Sequence, residues 1–528
     1  MIKRWFCIAG FMILIAVCAG CGITRHESSS VKNQEDMEPV ITVFDKSSGN
    51  SRFDDKIALE IQKRTGVRIE LINPTEAPSQ KARLMLANRD YPDIVITDLA
   101  AGNTAGIMAD KYAEAGALIL LEVHIETMGP DIMSMYGDTL EDLRHEDGHI
   151  YYLTSWYGEN LEPVAGFQIR YDILKELAGQ ERADSSEAFT QKEITELLRS
   201  FHQRYPEIDG QASIPFTFNQ ENSGRTLYGM FGLKYYHETD EGEIQTIYKA
   251  PEYLPMLLFL NQLYREELLD KDWLVNKAQS YEEKLKSGRV FMTAGAYWDM
   301  DSINVVLKEK YGGDAQFYSY KVLGDGIKDG ETAYNGRNSL GWDCIGITDN
   351  CENVEAAMKV LNFLASEEGQ YLTLWGIEGE DWDQVDGKRV PRKEILDSFE
   401  VNIEKTRDET GIRKWTWMTK NGNGSDGSPY DMATKLRLSE SARRAYTNLS
   451  GDYWDTAPYA GIAPEAGTAE AAIQQEITAI GQNACYLAVC AKTPEESERI
   501  YADMLADMEK AGVDRLEQVM NERYRNKK

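Results

Sequence analysis

Large rings stand in segments that read as loops, three of them next to an aspartate: Trp156-Tyr157, Tyr297-Trp298-Asp299, Trp342-Asp343, Trp415 with Trp417, and Tyr453-Trp454-Asp455. Aromatic rings offer flat apolar platforms, and neighbouring carboxylates, amides or guanidinium groups give oriented hydrogen bonds. Together they suit a ligand with flat C–H faces and a polar rim, held without making or breaking bonds. Asp98, Arg337 and Asn338 are further candidates for contacts to such a rim. For each tryptophan, packing is the competing reading. Trp273, Trp375 and Trp382 read as packing residues because they lie in or beside predicted helices. Arg337 has two readings: a cleft arginine able to grip a carboxylate bidentately, or a surface residue of the Asn335-Gly336 turn. The turn is favoured.

Strings that suggest covalent or metal chemistry do not hold up. His145-Glu146-Asp147-Gly148-His149 spells a zinc-protease signature. That chemistry needs both histidines on one face of a helix. Here Asp-Gly favours a turn and Ile-Tyr-Tyr-Leu continues as a strand. Gly422-x-Gly424-x-x-Gly427 spells a dinucleotide fingerprint but has no strand before it and no helix after it, so it reads as a loop. No nucleophile–base pair stands out. No catalytic residue, cofactor or metal is expected.

The elements that must position the rings come in alternation. A short strand at 41–44, a helix over 53–65, a strand at 67–71, a helix over 79–88 and a strand at 93–97 form βαβ units around a mostly parallel sheet. Further strands are expected at 150–153, 290–293 and 340–347. Helices are expected to open at 169–177 and to span 191–205, 253–269, 353–365, 367–374, 469–483, 495–511 and 516–525. In open α/β sheets ligands collect at the strand carboxyl ends, which favours Trp156, Tyr297 and Trp298.

Net charge is −30 over 528 residues. So acidic a surface repels phosphate backbones, which disfavours nucleic acid as a partner. The cluster Lys388-Arg389-Val390-Pro391-Arg392-Lys393 and the tail from Arg523 read as solvated surface. The first residues carry Lys3-Arg4, an apolar run from Trp5 to Ala19, and then Gly20-Cys21, the marks of an export signal. Residues 22–39 are polar and aperiodic and read as a tether. Of seven cysteines, Cys344, Cys351, Cys485 and Cys490 lie in the body. The pairs 344/351 and 485/490 are near enough in sequence to bridge, and whether they do is open.

Two resemblances emerge from these residues. Cys18-Ala19-Gly20-Cys21 is similar to the lipobox of bacterial lipoproteins, with Cys18 where that family has Leu. It implies cleavage after residue 20 and lipidation of Cys21, which places the chain at the extracytoplasmic face of the cell membrane. The body resembles the extracellular solute-binding proteins of ABC importers, closest to the large carbohydrate-binding lipoproteins. The resemblance rests on Tyr91-Pro92-Asp93-Ile94-Val95, Gly148-His149-Ile150-Tyr151-Tyr152-Leu153, Arg170-Tyr171-Asp172, Ser287-Gly288-Arg289-Val290, and Glu367-Glu368-Gly369-Gln370 followed by Trp375-Gly376-Ile377-Glu378-Gly379.

That resemblance implies an α/β, two-lobed periplasmic-binding-protein-like fold of type 2, with discontinuous lobes joined by a hinge. The expected division is a signal peptide at 1–20, a tether at 21–39, and lobe 1 from 40 to 165. Lobe 2 then runs over 166–288, lobe 1 returns at 289–338, and lobe 2 resumes over 339–528 with the C-terminal helices. The implied function is capture of an oligosaccharide by a monomer, without catalysis, and delivery to the transmembrane subunits of an ABC permease. Sugars match the ring-and-rim chemistry above. Some relatives carry a calcium loop after the helix matching 191–205. Here Pro206-Glu207-Ile208-Asp209-Gly210-Gln211-Ala212 has too few oxygen ligands, so no calcium is expected. The alternatives are a surface glycoside hydrolase, which needs paired carboxylates roughly 5–9.5 Å apart, and a lipoprotein that senses ligand without transport.

Overall fold

A computed structural model describes residues 38–525, apart from 50, 75–76, 100–107, 146, 437–438 and 465–466. The signal, most of the tether and Cys21 lie outside the described residues. Pro39–Lys528 forms one compact unit built on two sheets.

The first sheet has the spatial order Arg68–Leu71, Val40–Asp45, Ile94–Asp98, Asp343–Ile347, Leu153–Ser155. The first three strands are parallel, and Asp343–Ile347 runs antiparallel to both its neighbours. Helix Lys56–Thr65 links the first two strands. Its Asp55 cap accepts the Ala58 N–H at 2.9 Å, and Gly66 ends it at φ 63°, as the sequence predicts. Both faces of this sheet are covered. Ile41, Val43, Ile94 and Ile96 point into one core with Ile57 and Ile61, while Phe44 and Val95 point into the other with Tyr91 and Tyr112.

The second sheet has the order Phe317–Tyr320, Ala165–Arg170, Val290–Ala296, Ile214–Thr217. Its core gathers Phe167, Ile169, Phe216 and Met292 with residues of the C-terminal helices Ala469–Val489, Pro494–Ala511 and Val513–Arg525. Strand Ala165–Arg170 is absent from the sequence reading, which begins that region with a helix. The helix is present, at Tyr171–Ala178.

The expected return segments are exchanged. Residues 289–338 do not rejoin the first lobe: Val290–Ala296 pairs with Ala165–Arg170 and with Ile214–Thr217. Nor does the second lobe resume at 339, because Asp343–Ile347 pairs with Ile94–Asp98. Trp375, Phe399, Trp415 and Met432 then stay in the first lobe's core. The second lobe is rejoined at Ala442, which packs on Tyr297. The physical reason is plain. Both strands are buried on both faces, and an apolar run without alternation carries no mark of the sheet it belongs to. Among the described residues the chain passes between lobes three times, through residues 156–164 and 321–342 and again after helix Met432–Lys435.

The two histidines of the HExxH string stand at a turn and not on a helix. The His145 N–H donates to the His149 carbonyl at 2.9 Å, and Gly148 folds back to His145 at the same distance. In place of a calcium loop, Glu207–Ile208 pairs with Gln211–Ala212 as a two-residue hairpin whose Asp209 meets Lys310 at 2.7 Å. Asp209 and Gly210 both take positive φ, as such a tight turn requires. All four body cysteines are free thiols. The basic cluster at 388–393 is only partly solvated surface: the Arg389 guanidinium lies 3.6 Å over the Tyr371 ring and 3.0 Å from Asp426. Among the described residues no helix is long and apolar enough to cross a membrane.

Candidate functional site

A cavity of about 960 Å³ lies between the two sheets, lined by residues of both lobes and of the crossings. Its first-lobe wall starts where the parallel strands end. Lys46 follows Val40–Asp45 and bridges Asp98 at 2.6 Å and Asp343 at 2.9 Å. Burial raises the Asp343 carboxyl above its ordinary range, against the pull of Lys46. Burial would lower the Lys46 ammonium, but Asp343 and Asp98 outweigh it and hold it charged.

Trp156 lines the cavity at φ 62°, a left-handed conformation that is costly for a bulky residue. The surroundings impose it. The Trp156 N–H donates to the Thr419 carbonyl at 2.6 Å, its own carbonyl accepts from Asn421 Nδ2 at 2.8 Å, and Arg413 sits 5.1 Å from its ring. Arg413 has the same φ of 62° and is held against Asp431 at 3.0 Å. Two strained residues that touch on one cavity wall mark a built site rather than incidental packing.

Glu162 lies in the first crossing and is a junction of all three. Its carboxylate accepts from Thr434 Oγ1 at 3.0 Å and Tyr446 OH at 2.6 Å, and pairs with Lys435 at 3.0 Å. Its carbonyl accepts from Arg337 Nε at 3.3 Å and Nη2 at 3.1 Å. Arg337 therefore belongs to the cleft wall and not to an exposed turn. Burial lowers its pKa, with Glu162 opposing. The hydrogen bond from Val164 N–H to Asn335 Oδ1, at 3.0 Å, ties the first two crossings a second time.

The sequence candidates sort by geometry. Trp156, Tyr297, Trp298, Asp299, Arg337, Asn338, Trp342 and Trp415 line the cavity. Burial raises the Asp299 carboxyl. Tyr157 does not line it: this fully buried ring stacks on Tyr136 at 3.8 Å. Trp417 lies beneath the floor, its Nε1 donating to Asp45 at 2.9 Å and its ring stacking on Phe53. Asp98 is exposed and paired with Lys46 at 2.6 Å, and does not line the cavity. Tyr453 and Trp454 form the strand Tyr453–Asp455, which pairs with Asn335–Arg337, and Trp454 packs on Tyr235. They support the wall without lining it. Trp273, Trp375 and Trp382 are packing residues, as read.

Sequence reasoning misses one wall entirely. The helices Lys393–Val401 and Ile403–Thr410 meet at Asn402, and their junction brings Phe399, Glu400, Val401, Ile403, Glu404 and Arg407 to the cavity. The available signal was Asn402, whose side chain caps the second helix by accepting from Lys405 N–H at 2.9 Å.

Two α/β lobes joined by three chain crossings, with a ring-lined cavity between them, make up a fold that solved solute-binding proteins share. The chain is similar to the fructooligosaccharide ABC transporter substrate-binding protein FusA of Streptococcus pneumoniae, 24% identical over 404 residues, 70% of each chain. It is also similar to lipoprotein LipO of Bacillus subtilis, 22% identical over 73% of this chain and 75% of that one. Among solved structures, an HMO-binding solute-binding protein from Bifidobacterium longum infantis superposes with TM-score 0.68 at 14% identity, covering 93% of this chain and 99% of that one. The alginate-binding protein AlgQ2 does so with TM-score 0.65 at 16% identity, covering 93% and 98%. No protein-family model matches.

Proposed function

We propose that this chain is the substrate-binding protein of an ABC importer, and that it captures an oligosaccharide in the cavity between its lobes and hands it to a permease. The observation that carries this reading is the cavity wall: tryptophans and tyrosine from both lobes, interleaved with Asp, Asn and Arg side chains. Sugar rings need that combination of apolar platforms and directional hydrogen bonds. The names of the similar proteins, which bind fructooligosaccharide, HMO or alginate, support the ligand class. Three cavity carboxylates are committed to ion pairs, Asp343 with Lys46, Asp431 with Arg413 and Glu162 with Lys435. That favours a binding site over a hydrolytic one. Closure around the ligand presents a distinct liganded form to the permease, provided the closed state binds more tightly. Lipidation at Cys21 would keep the protein at the membrane, and the mass of the mature N-terminus decides that part.

The test is thermal unfolding of the mature protein across a broad panel of neutral and acidic oligosaccharides. A ligand at 100 times its Kd stabilises the native state by about 2.7 kcal/mol, and a matching rise in Tm is expected for at least one. Failure of every glycan to shift Tm, or release of product from aryl glycosides, overturns the proposal.

A further inference from the structure

Seven lysine and arginine side chains line the interlobe cavity. Five of them meet a carboxylate within 3.5 Å: Lys46, Arg407, Arg413, Lys414 and Lys435. Of the other two, Arg225 is exposed, with its guanidinium 4.9 Å from the Tyr235 ring, and water solvates its charge. Arg337 is different. The nearest carboxylate oxygen, Glu162 Oε2, is 4.0 Å away. The other oxygen of that carboxylate, Oε1, is taken by Thr434, Lys435 and Tyr446. Besides Glu162, the titratable groups that act on Arg337 are the phenols of Tyr297, Tyr446 and Tyr453, and burial outweighs all of them. Its charge is therefore only partly compensated by the protein.

The hydrogen bonds leave one edge of the guanidinium free. Nε and Nη2 both donate to the Glu162 carbonyl, which uses the side edge. The end edge, an N–H of Nη1 beside the second N–H of Nη2, has no partner among the described residues. That edge is a fork that matches both oxygens of a planar carboxylate. Its backbone is fixed: strand Asn335–Arg337 pairs with Tyr453–Asp455, and the Arg337 carbonyl accepts from Thr456 N–H at 2.7 Å. Asn338, next in the chain, lines the same cavity. Its Oδ1 accepts from Leu340 N–H at 3.0 Å, while its buried Nδ2 has no partner. Two neighbouring residues thus offer donors for which the described residues supply no acceptor, and buried polar groups are normally paired. A buried charge without its counter-ion is costly as well.

We propose that Arg337 takes a sugar carboxylate on its free edge, so that the oligosaccharide bound here is an acidic one, carrying a uronate or sialate residue. The inference rests on the oligosaccharide-binding reading above. The ligand supplies the negative charge that Glu162, already held by Lys435 and Tyr446, does not. Asn338 Nδ2 donates to an oxygen of the same sugar or the next. The chain's net charge of −30 does not oppose this. The fork acts at contact distance, whereas exposed charges beyond about 8 Å are largely screened at physiological salt.

Calorimetry with tetragalacturonate, a glucuronate-bearing xylotetraose and sialyllactose tests this, each beside its carboxyl methyl ester and beside neutral tetrasaccharides. The ester keeps the shape and removes the charge. One acid is expected to bind about tenfold or more tighter than its ester, as a charge-assisted bidentate pair requires. The uronate and sialate arms show which sugar carries the carboxylate. Arg337→Gln should bring the acid-to-ester ratio near one and leave the ester's affinity as it was. Equal weakening of acid and ester would mean a structural role and overturns the inference. The unaltered protein can refute it alone, by binding an ester as tightly as its acid or a neutral tetrasaccharide tightest of all. Either result leaves the binding function standing. If no glycan binds at all, the proposed function falls first and takes this inference with it.

Discussion

Gly369→Ala is expected to destabilise the first lobe by about 3 kcal/mol or more, read as a fall in the denaturation midpoint at unchanged slope. A Cβ built on Gly369 would lie 2.0 Å from the Phe363 carbonyl oxygen and 2.8 Å from the Leu364 Cα. Those are backbone atoms at the end of helix Val354–Ala365, so no side-chain rotation relieves the clash. The two helices meet this closely because Ser366 both ends the first and caps the second, its Oγ accepting from Gly369 N–H at 3.0 Å. Next door, fully buried Gln370 donates through Nε2 to the Leu364 and Met418 carbonyls, both at 2.8 Å. Its Oε1 accepts from Lys420 N–H at 2.8 Å. The Glu-Glu-Gly-Gln string therefore carries the tight joint between two helices and the anchoring of the 418–420 segment beside the cavity. A variant as stable as the parent would show that the joint can open, and would remove this explanation of the motif.

Lys321→Met is the second large effect. Lys321 opens the second crossing with its side chain 7% exposed, and it faces Asp452, 3% exposed, at 2.8 Å. The same ammonium donates to Asp329 at 2.9 Å and to the Ser450 carbonyl at 3.2 Å. Burial by itself would lower its pKa, but Asp452 and Asp329 raise it. Removing the cation leaves a buried carboxylate with Thr332 as its remaining side-chain donor. Breaking a buried pair from one side costs about 3–5 kcal/mol. Pairing the change with Asp452→Leu should recover a large part of that loss, so the two losses will not add. Additive losses in urea titrations would mean that the pair is not coupled.

Much of the fold is legible in the sequence because local signals agree with the tertiary structure. Asp55 and Gly66 bracket a helix whose Ile57 and Ile61 face the core, and the strands on either side follow the expected βαβ order. Legibility fails where two long-range options look alike locally. Asp343–Ile347 and Val290–Ala296 are both buried on both faces, so nothing in either one says which sheet it joins. The site was legible as a set of ring-rich loops but not residue by residue. Trp156 and Tyr157 are adjacent, and only the backbone turn at Trp156 decides that one ring lines the cavity while the other stacks on Tyr136. Trp415 and Trp417 stand two apart in an irregular segment, their rings meeting edge-on at 5.9 Å. A single layer of depth separates the lining ring from the supporting one. The 393–410 helices are short and highly charged, and nothing in them signals a cavity wall.

The strand order of the first sheet has a consequence for how the chain becomes a protein. Among the described residues, Leu153–Ser155 is joined to the rest of that sheet only through Asp343–Ile347, whose other partner, Ile94–Asp98, lies some 245 positions earlier (343 minus 98). Until residue 347 is available, the sheet ends in an unpaired edge at Ile94–Asp98, and its far strand has no partner. So long a loop must close before the contacts it permits can stabilise anything, which makes folding slow. A nascent chain that stops short of Asp343 stays open, and with it the edge along which the cavity is later built.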